Sequence, residues 1–185
     1  MGVSLDGFIA GPDGDFGWSA PDEELHRFHN EQTRELGVHL CGRRLYETMV
    51  YWETADENPS APEHVLEFAH IWKALPKIVF SRTLDRAEGN AQLRRDGVAD
   101  VVAELKAQPG KDLAVGGAGL ASGCAQLGLI DEYRLFVSPV AVGGGTPYFP
   151  AFDKRLDLEL VEQRTFGSRV VYLRYRVAPP GSLAS

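Results

Sequence analysis

The sequence contains a cluster of glycines immediately after a short apolar run. Residues 113–115 are apolar, and the glycines that follow are Gly116, Gly117, Gly119 and Gly123. At the start of a helix, glycines let a phosphate approach the backbone closely, and the unpaired N–H groups favour its negative charge. The segment therefore predicts a strand, a tight turn and a helix that can hold the diphosphate of a nucleotide.

The spacing within this cluster argues against the commonest dinucleotide-binding fold. The pattern Gly117-x-Gly119-x-x-x-Gly123 is one residue longer than the Rossmann fingerprint, and no acidic residue follows at the spacing of a ribose ligand. A standard Rossmann domain is therefore not expected. Taken alone, the segment is equally compatible with a strand-to-helix turn that binds nothing.

Two further junctions repeat the pattern after the apolar runs 38–41 and 78–80. Guanidinium groups bind phosphate in a bidentate way, and open α/β sheets bind ligands at the carboxyl ends of their strands. Three such strand ends in one chain favour a binding site for a dinucleotide phosphate. The alternative is that the arginines are unrelated surface residues. The residues concerned are Gly42, Arg43 and Arg44 at the first junction, and Ser81, Arg82 and Thr83 at the second.

Apolar spacing predicts that strands alternate with helices along the chain. This order predicts one α/β domain over residues 1–178, with a mixed, mainly parallel central sheet, flanking helices, a C-terminal antiparallel hairpin and a flexible tail over residues 179–185. Helices are predicted over residues 21–36, 43–51, 63–75, 98–108 and from 119 to about 129. Strands are predicted over residues 1–5, 8–10, 38–41, 78–80, 92–94, 113–115, 133–142, 156–164 and 168–177.

The composition limits the classes of partner. The 185 residues carry a formal net charge of −7, whereas a nucleic-acid-binding protein would normally present a basic surface. The arginines occur in small groups, such as Arg94 and Arg95, which suit one phosphorylated small molecule better than a polymer. No apolar run reaches the length of a membrane span, and no secretory signal is visible. We therefore expect no nucleic-acid or membrane partner and a cytoplasmic location.

Other candidate sites are weaker. His26 and His29 are three residues apart on a predicted helix, but no third ligand has a matching spacing, so no metal site is expected. Cys41 and Cys124 form no CxxC pair, and buried, inert thiols are expected. Trp52 and the aromatic run 148–150 could line a pocket, although such residues more often belong to a core. No Gly-x-Ser-x-Gly elbow is present, which disfavours a hydrolase.

Four motifs, in the same order along the chain, resemble one known superfamily. They are residues 4–11, 42–47, 116–121 and 129–135. Together they resemble the bacterial dihydrofolate-reductase-like proteins grouped with the C-terminal reductase domain of the riboflavin-biosynthesis deaminase/reductase, RibD. The resemblance covers about residues 4–175. It implies a dihydrofolate-reductase-like fold and an NADPH-dependent reductase.

The resemblance also implies roles for individual residues. Asp6 and Glu24 would be catalytic, with Asp22 or Glu23 as alternatives to Glu24. Substrate would contact Trp18, Phe28 and Tyr46. NADPH would be held by Ala10, Gly42, Arg43, Arg44, Ser81, Arg82, Thr83, Gly116, Gly117, Ala118, Gly119, Leu120 and Ala121.

The chain departs from the family pattern in two places. Riboflavin-pathway reductases commonly carry a glutamate just before the double glycine, where this chain has Val115. Only three residues precede Ser4, where family members have several more strand residues, so we expect either a truncated first strand or another segment in its place. The chain could also start further upstream.

The expected activity is hydride transfer from NADPH to a small conjugated, heterocyclic substrate of the pterin or pyrimidine kind, with the proton supplied by Glu24 or by bound water. One alternative is the 5-amino-6-(5-phosphoribosylamino)uracil reductase of riboflavin biosynthesis, which Val115 disfavours. Another alternative, from a different class, is a non-catalytic nucleotide-binding protein that retains the fold. A homodimer is a further expectation.

Overall fold

A computed structural model describes residues 1–149, 151 and 155–179. Contacts divide the chain into two compact units, one of residues 1–22 and 124–185 and the other of residues 23–123. The elements are β1 (Gly2–Ser4), β2 (Phe8–Ala10), α1 (Glu23–Arg34), β3 (Leu36–Gly42), α2 (Arg43–Met49), α3 (Glu63–Ala74), β4 (Lys77–Phe80), β5 (Ala91–Arg94), α4 (Val98–Lys106), β6 (Asp112–Gly116), α5 (Ala118–Gln126), β7 (Glu132–Ser138), β8 (Thr146–Pro147), β9 (Leu158–Thr165) and β10 (Val171–Val177). Short 3-10 helices span Gly17–Ser19, Val50–Glu53 and Ala55–Glu57.

The unit of residues 23–123 contains a four-stranded parallel sheet in the order β5-β4-β3-β6. α2 and α3 link β3 to β4, and α4 links β5 to β6, as is usual for parallel strands, whereas residues 81–90 join β4 to β5 without a helix. Short, apolar strands such as β4, where three of four residues are buried, are typical of a sheet covered on both faces. The parallel sheet that the sequence predicted is therefore present.

An aromatic cluster forms the core of this unit. Trp72 is fully buried, and its ring stacks at 6.4 Å from that of Phe68. Truncating an aromatic side chain of this size to alanine costs about 3–5 kcal/mol of stability. The buried members of the cluster are Cys41, Tyr46, Phe68, Trp72 and Val79.

A buried lysine fixes the start of β4. The side chain of Lys77 is inaccessible, and its Nζ donates to the carbonyl oxygen of Trp72 at 2.6 Å. Its charge is paired with Oε1 of Glu53 at 3.1 Å. Burial lowers the pKa of Lys77, and Glu53 opposes that shift. This ion pair holds the 3-10 helix after α2 against the strand that leads to Ser81.

The unit of residues 1–22 and 124–185 is built on a mixed sheet. Its order is β1-β7-β10-β9, and β2 and β8 form a separate antiparallel pair. β1 runs parallel to β7, with Gly2 opposite Phe136, whereas β9 and β10 form an antiparallel hairpin. Phe136 and Tyr172 pack at 4.9 Å between ring centroids on one face of this sheet.

The predicted α/β class, with a parallel sheet, flanking helices and a C-terminal hairpin, is confirmed. The sequence predicted a single central sheet. In the described residues, the hydrogen-bonded strands instead form two four-stranded sheets and one two-stranded pair. β7 ends at Ser138, four residues earlier than predicted, because Pro139 has no N–H to continue the ladder. β1 spans three residues and pairs with β7, in keeping with the short first strand expected.

Two predictions on the chain's limits remain open. The single domain over residues 1–178 stays a prediction, and the predicted tail lies outside the described residues from residue 180 onward. Among the residues that are described, none of the helices is both long enough and apolar enough to span a membrane.

Candidate functional site

The carboxyl ends of four parallel strands lie side by side in the unit of residues 23–123. β3 ends at Gly42, which is paired with Phe80, the last residue of β4. Phe80 is paired in turn with Arg94 at the end of β5, and Cys41 with Gly116 at the end of β6. The three junctions that the sequence predicted therefore meet at one edge of the sheet, and β5 adds a fourth.

The turn after β6 requires glycine at two positions. Gly117 has a φ of +93°, and a Cβ on it would lie 3.5 Å from the Cα and N of Gly42. A Cβ on Gly116 would collide with the side chain of Leu45 and lie 3.0 Å from Nε2 of His39. Gly117 is needed because only glycine adopts the left-handed region without strain, whereas Gly116 leaves room for the side chains of Leu45 and His39.

The first turn of α5 presents backbone N–H groups at this edge. Ala121 donates to the carbonyl oxygen of Gly117 at 2.9 Å, which is the first hydrogen bond of the helix. The preceding amides of Ala118, Gly119 and Leu120 have no carbonyl one turn earlier to bond. A Cβ on Gly119 would meet nothing within 4 Å, so the space beside this residue is open. A helix start with this access can bind a phosphate.

Arg43 and Arg44 have different surroundings. The guanidinium of Arg43 donates to Oε1 of Glu47 at 2.9 Å and to Oγ1 of Thr83 at 2.7 Å. It therefore joins α2 to the loop after β4, and Glu47 offsets its charge. Arg44 is exposed, and the described part of the chain gives its guanidinium no acceptor. Of the two, Arg44 is the one that can turn to an incoming anion without breaking an ion pair.

A basic cavity of about 240 Å³ lies at the ends of β4 and β5. Three of its lining residues are arginines, and only Asp96 is acidic, bonded to Arg94 at 2.9 Å. Arg95 donates to the carbonyl oxygen of Leu84 at 3.3 Å. A phosphate that carries two negative charges fits this excess of cations. The lining residues are Phe80, Ser81, Arg82, Arg94, Arg95, Asp96 and Gly97.

Ser81 shapes the loop beside this cavity. Its Oγ accepts from the backbone amides of Thr83 at 3.2 Å and Leu84 at 3.0 Å. The hydroxyl hydrogen of Ser81 remains available to donate, because these two bonds use only its lone pairs. Ser81 and Thr83 therefore act first as structural residues of the turn, with Arg82 exposed at its tip.

Asp6 is held by three hydrogen bonds from the chain itself. Its carboxylate accepts from Oγ of Ser4 at 2.6 Å, from the amide of Gly143 at 2.7 Å and from the amide of Val142 at 3.1 Å. The Ser4 hydroxyl first, and then the two amides, hold the pKa of Asp6 below its usual value. These bonds anchor the loop at Val142 and Gly143 to Asp6, and the catalytic role expected of Asp6 stays a prediction.

Two other predicted residues lie in the same unit as Asp6. Ala10 ends β2, and its carbonyl oxygen lies so close to Gly145 that a Cβ there would collide with it. Trp18 lies in the 3-10 helix Gly17–Ser19, and its indole Nε1 is buried with no acceptor among the described residues. Buried donors without a partner are rare, so Trp18 has a hydrogen bond to offer to a ligand or a water molecule.

The remaining predicted catalytic and substrate residues lie on α1 and α2. Glu24 is exposed in the first turn of α1, whereas Phe28 on the same helix is buried. Tyr46 is 4% exposed in the aromatic cluster, and its hydroxyl accepts from the amide of Glu88 at 2.6 Å. Tyr46 therefore anchors the loop before β5, and the substrate contact expected of it stays a prediction.

The weaker candidates have structural surroundings. Nδ1 of His26 lies 3.1 Å from Oδ1 of Asn30, and the ring of His26 packs edge-on at 5.8 Å from that of Trp52. Burial lowers the pKa of His29 to about 3. Among the described residues, no group of three or more metal-binding side chains lies close together. Tyr148 and Phe149 pack on each other at 4.8 Å, and Pro150 lies outside the described residues.

Sequence reasoning left Arg94 and Arg95 out of the site. The sequence contained a signal for them, because Arg94 ends a short strand and Arg95 follows it, much as arginines follow the strands at the other junctions. That strand is Ala91–Arg94, which has one apolar residue larger than alanine, so its strand pattern in the sequence is weak.

Comparisons with known proteins agree with this fold. A family model described as the RibD C-terminal domain matches residues 1–172. The uncharacterized protein YyaP of Bacillus subtilis is 34% identical over 176 residues, which are 95% of this chain and 91% of that protein.

Two solved structures share the fold at low identity. A putative riboflavin biosynthesis protein from Shewanella sp. PV-4 is 20% identical with a TM-score of 0.75, covering 97% of each chain. A diaminohydroxyphosphoribosylaminopyrimidine deaminase/5-amino-6-(5-phosphoribosylamino)uracil reductase from Thermotoga maritima is 17% identical with a TM-score of 0.63, covering 96% of this chain and 55% of that one.

Proposed function

Because the chain belongs to the family of RibD C-terminal domains, we propose that it is an NADPH-dependent reductase that transfers a hydride to a small conjugated, heterocyclic substrate. The resemblance inferred from the four sequence motifs is confirmed by that membership. The observation that carries the proposal is the edge of the parallel sheet where an open helix start and a basic cavity occur together.

The diphosphate would bind at the start of α5. The amides of Ala118, Gly119 and Leu120 supply donors that no carbonyl of the helix uses. Open space beside Gly119 gives a phosphate room to approach, and the positive end of the helix dipole favours its charge. Because Gly42 adjoins Gly117, the junction that contains Arg43 and Arg44 would lie beside the same group.

The 2′-phosphate would bind in the basic cavity. Arg82 and Arg94 line it, and Ser81 can donate its hydroxyl hydrogen. Arg44 would contribute from the start of α2, whereas Arg43 would hold Thr83 in place. NADH has only ribose hydroxyls at this position, so Arg44 and Arg82 would be left without an anion, while Arg94 would keep only its bond to Asp96. This surplus of cations favours NADPH over NADH.

When bound, NADPH supplies the hydride. The protein binds the cofactor and the substrate, orients them toward each other and excludes water. A proton must also reach the reduced substrate. Glu24 would supply it directly or through a bound water molecule. Asp6 is not proposed for this step, because its carboxylate is held ionised by Ser4 and by two amides.

The riboflavin-pathway reaction is the second candidate. It is favoured by the likeness in fold to the Thermotoga maritima protein, whose description includes that uracil reductase activity. It is disfavoured by Val115, which lies in β6 opposite Leu40 and offers no polar group where such reductases commonly have a glutamate. A direct assay with the phosphoribosylamino-uracil substrate separates this reaction from reduction of an unphosphorylated heterocycle.

A titration of the protein with NADPH and with NADH tests the proposal. The chain has three tryptophans, so binding can be followed by quenching of their fluorescence. We expect saturable quenching by NADPH and binding at least tenfold weaker for NADH. Absence of saturable NADPH binding would reject the proposal. Binding of NADPH without turnover of any heterocycle would support the alternative of a non-catalytic nucleotide-binding protein.

A further inference from the structure

The segment between β7 and β8 is a glycine-rich strap. We use this name for residues 139–145, which end in three consecutive glycines. Gly143 and Gly145 have φ values of +76° and +119°, which residues with a side chain rarely adopt. A segment of this kind has little conformational preference of its own, so its position depends on the bonds that hold it.

The two ends of the strap are held by the backbone. The amide of Leu5 donates to the carbonyl oxygen of Val140 at 2.7 Å, and the amide of Tyr148 donates to that of Gly7 at 2.9 Å. Gly145 then fits against the carbonyl oxygen of Ala10, where a Cβ would collide. Between these ends, the strap is held by a side chain.

That side chain is Asp6. Its carboxylate accepts from the amides of Val142 and Gly143, and it also accepts from Oγ of Ser4. Ser4 is 2% exposed and in turn accepts from the amide of Phe8 at 2.9 Å, so it fixes the carboxylate from a rigid position. Hydrogen bonds to an ionised acceptor are about twice as strong as neutral ones.

We propose that Asp6 is the latch of a movable strap, which stays closed while the carboxylate accepts from Val142 and Gly143 and opens when those bonds are lost. The glycines supply the freedom to move, and the two backbone contacts at the ends serve as hinges. Because the strap leads directly into β8, which pairs with β2, its opening would loosen the segment that contains Phe8 and Ala10. The inference does not depend on the proposed cofactor.

Amide hydrogen exchange followed by NMR tests the latch. In Asp6→Asn one oxygen and the charge are lost, so we expect exchange of the Val142 and Gly143 amides to accelerate about ten- to a hundredfold. Amides of β10 should exchange at their original rates. Asp13→Asn is the matched control, because Asp13 also accepts a backbone amide, that of Asp15 at 3.0 Å, in an exposed loop.

A second variant removes the closed position without touching the carboxylate. Gly145→Ala places a Cβ against the carbonyl oxygen of Ala10 and demands an unfavourable φ. We expect it to accelerate exchange at Val142 and Gly143 as Asp6→Asn does. Unchanged exchange at these two amides in either variant would overturn the latch and indicate a rigid loop. Equal acceleration throughout β10 would also overturn it and indicate a general loss of stability.

Discussion

The edge of the parallel sheet and the strap use similar residues for opposite purposes. At the sheet edge, Gly119 in the first turn of α5, Arg44 and Arg82 are exposed, and a Cβ on Gly119 would meet nothing within 4 Å. At the strap, the charge of Asp6 is satisfied by one hydroxyl and two amides of the chain itself. Charged groups with unfinished bonding indicate binding, whereas charged groups with complete bonding indicate structure.

Gly119→Val should have the largest effect. Its side chain would fill the open space beside the first amides of α5 and bar a diphosphate. We expect NADPH affinity to fall more than a hundredfold while the circular dichroism spectrum is retained. Gly123→Val is the matched control, because it lies in the same helix and also has nothing within 4 Å of its Cβ position. Full binding by Gly119→Val would mean that the phosphates bind elsewhere.

Glu24→Gln tests whether Glu24 is the proton donor. Unlike Asp6, it is the carboxylate to which the proposal assigns that step. Loss of a general acid reduces turnover by about 10²–10⁴-fold. We expect a decrease of that size for Glu24→Gln, with NADPH affinity unchanged, once a substrate has been identified. An equally active variant would show that Glu24 serves only as a charge in the first turn of α1.

Loss of a single arginine from the basic cavity should have an intermediate effect. Removing one charge-assisted hydrogen bond costs about 1.5–3 kcal/mol, which weakens NADPH about ten- to a hundredfold. We expect this for Arg82→Ala and Arg94→Ala, with NADH affinity unaltered. Arg86→Ala is the control, because Arg86 is 84% exposed and pairs with Glu88 outside that cavity. Equal losses for NADPH and NADH would argue against a 2′-phosphate site.

Asp6 should have the smallest effect, and that effect should depend on pH. Its pKa is lowered in the folded state by Ser4 and by the amides of Gly143 and Val142. The stability that it contributes is therefore present above its unfolded pKa of 3.8 and is lost as pH falls through the lower folded value. Asp6→Asn should lower the melting temperature by a few degrees at pH 7. The difference between variant and parent should shrink as the pH falls below 3.8 and through the lower folded value.

The sequence predicted the sheet edge better than the strap because of how each is encoded. At the edge, each junction is local, since an apolar run is followed within three residues by its glycine or arginine. Asp6 instead meets Val142 and Gly143, which are 136 and 137 residues away, and no spacing in the sequence reveals that contact.

Tertiary contacts also place two other side chains. Tyr46 lies two residues after Arg44, and α2 places it in the aromatic cluster. Arg95 was visible as part of a basic pair, yet its place beside Arg82 depends on the pairing of β5 with β4. In both cases a tertiary contact, not the local motif, decides the role of the side chain.

An NMR titration of the isotope-labelled protein with NADPH tests the central claim most directly. The account predicts saturable shifts of the amides of Gly117, Ala118, Gly119 and Leu120 together with those of Arg82 and Arg95. It also predicts that NADH shifts the first group and leaves the second nearly unchanged. Saturable binding that shifts neither group, or no saturable binding at all, would contradict the assignment of this edge as the phosphate site.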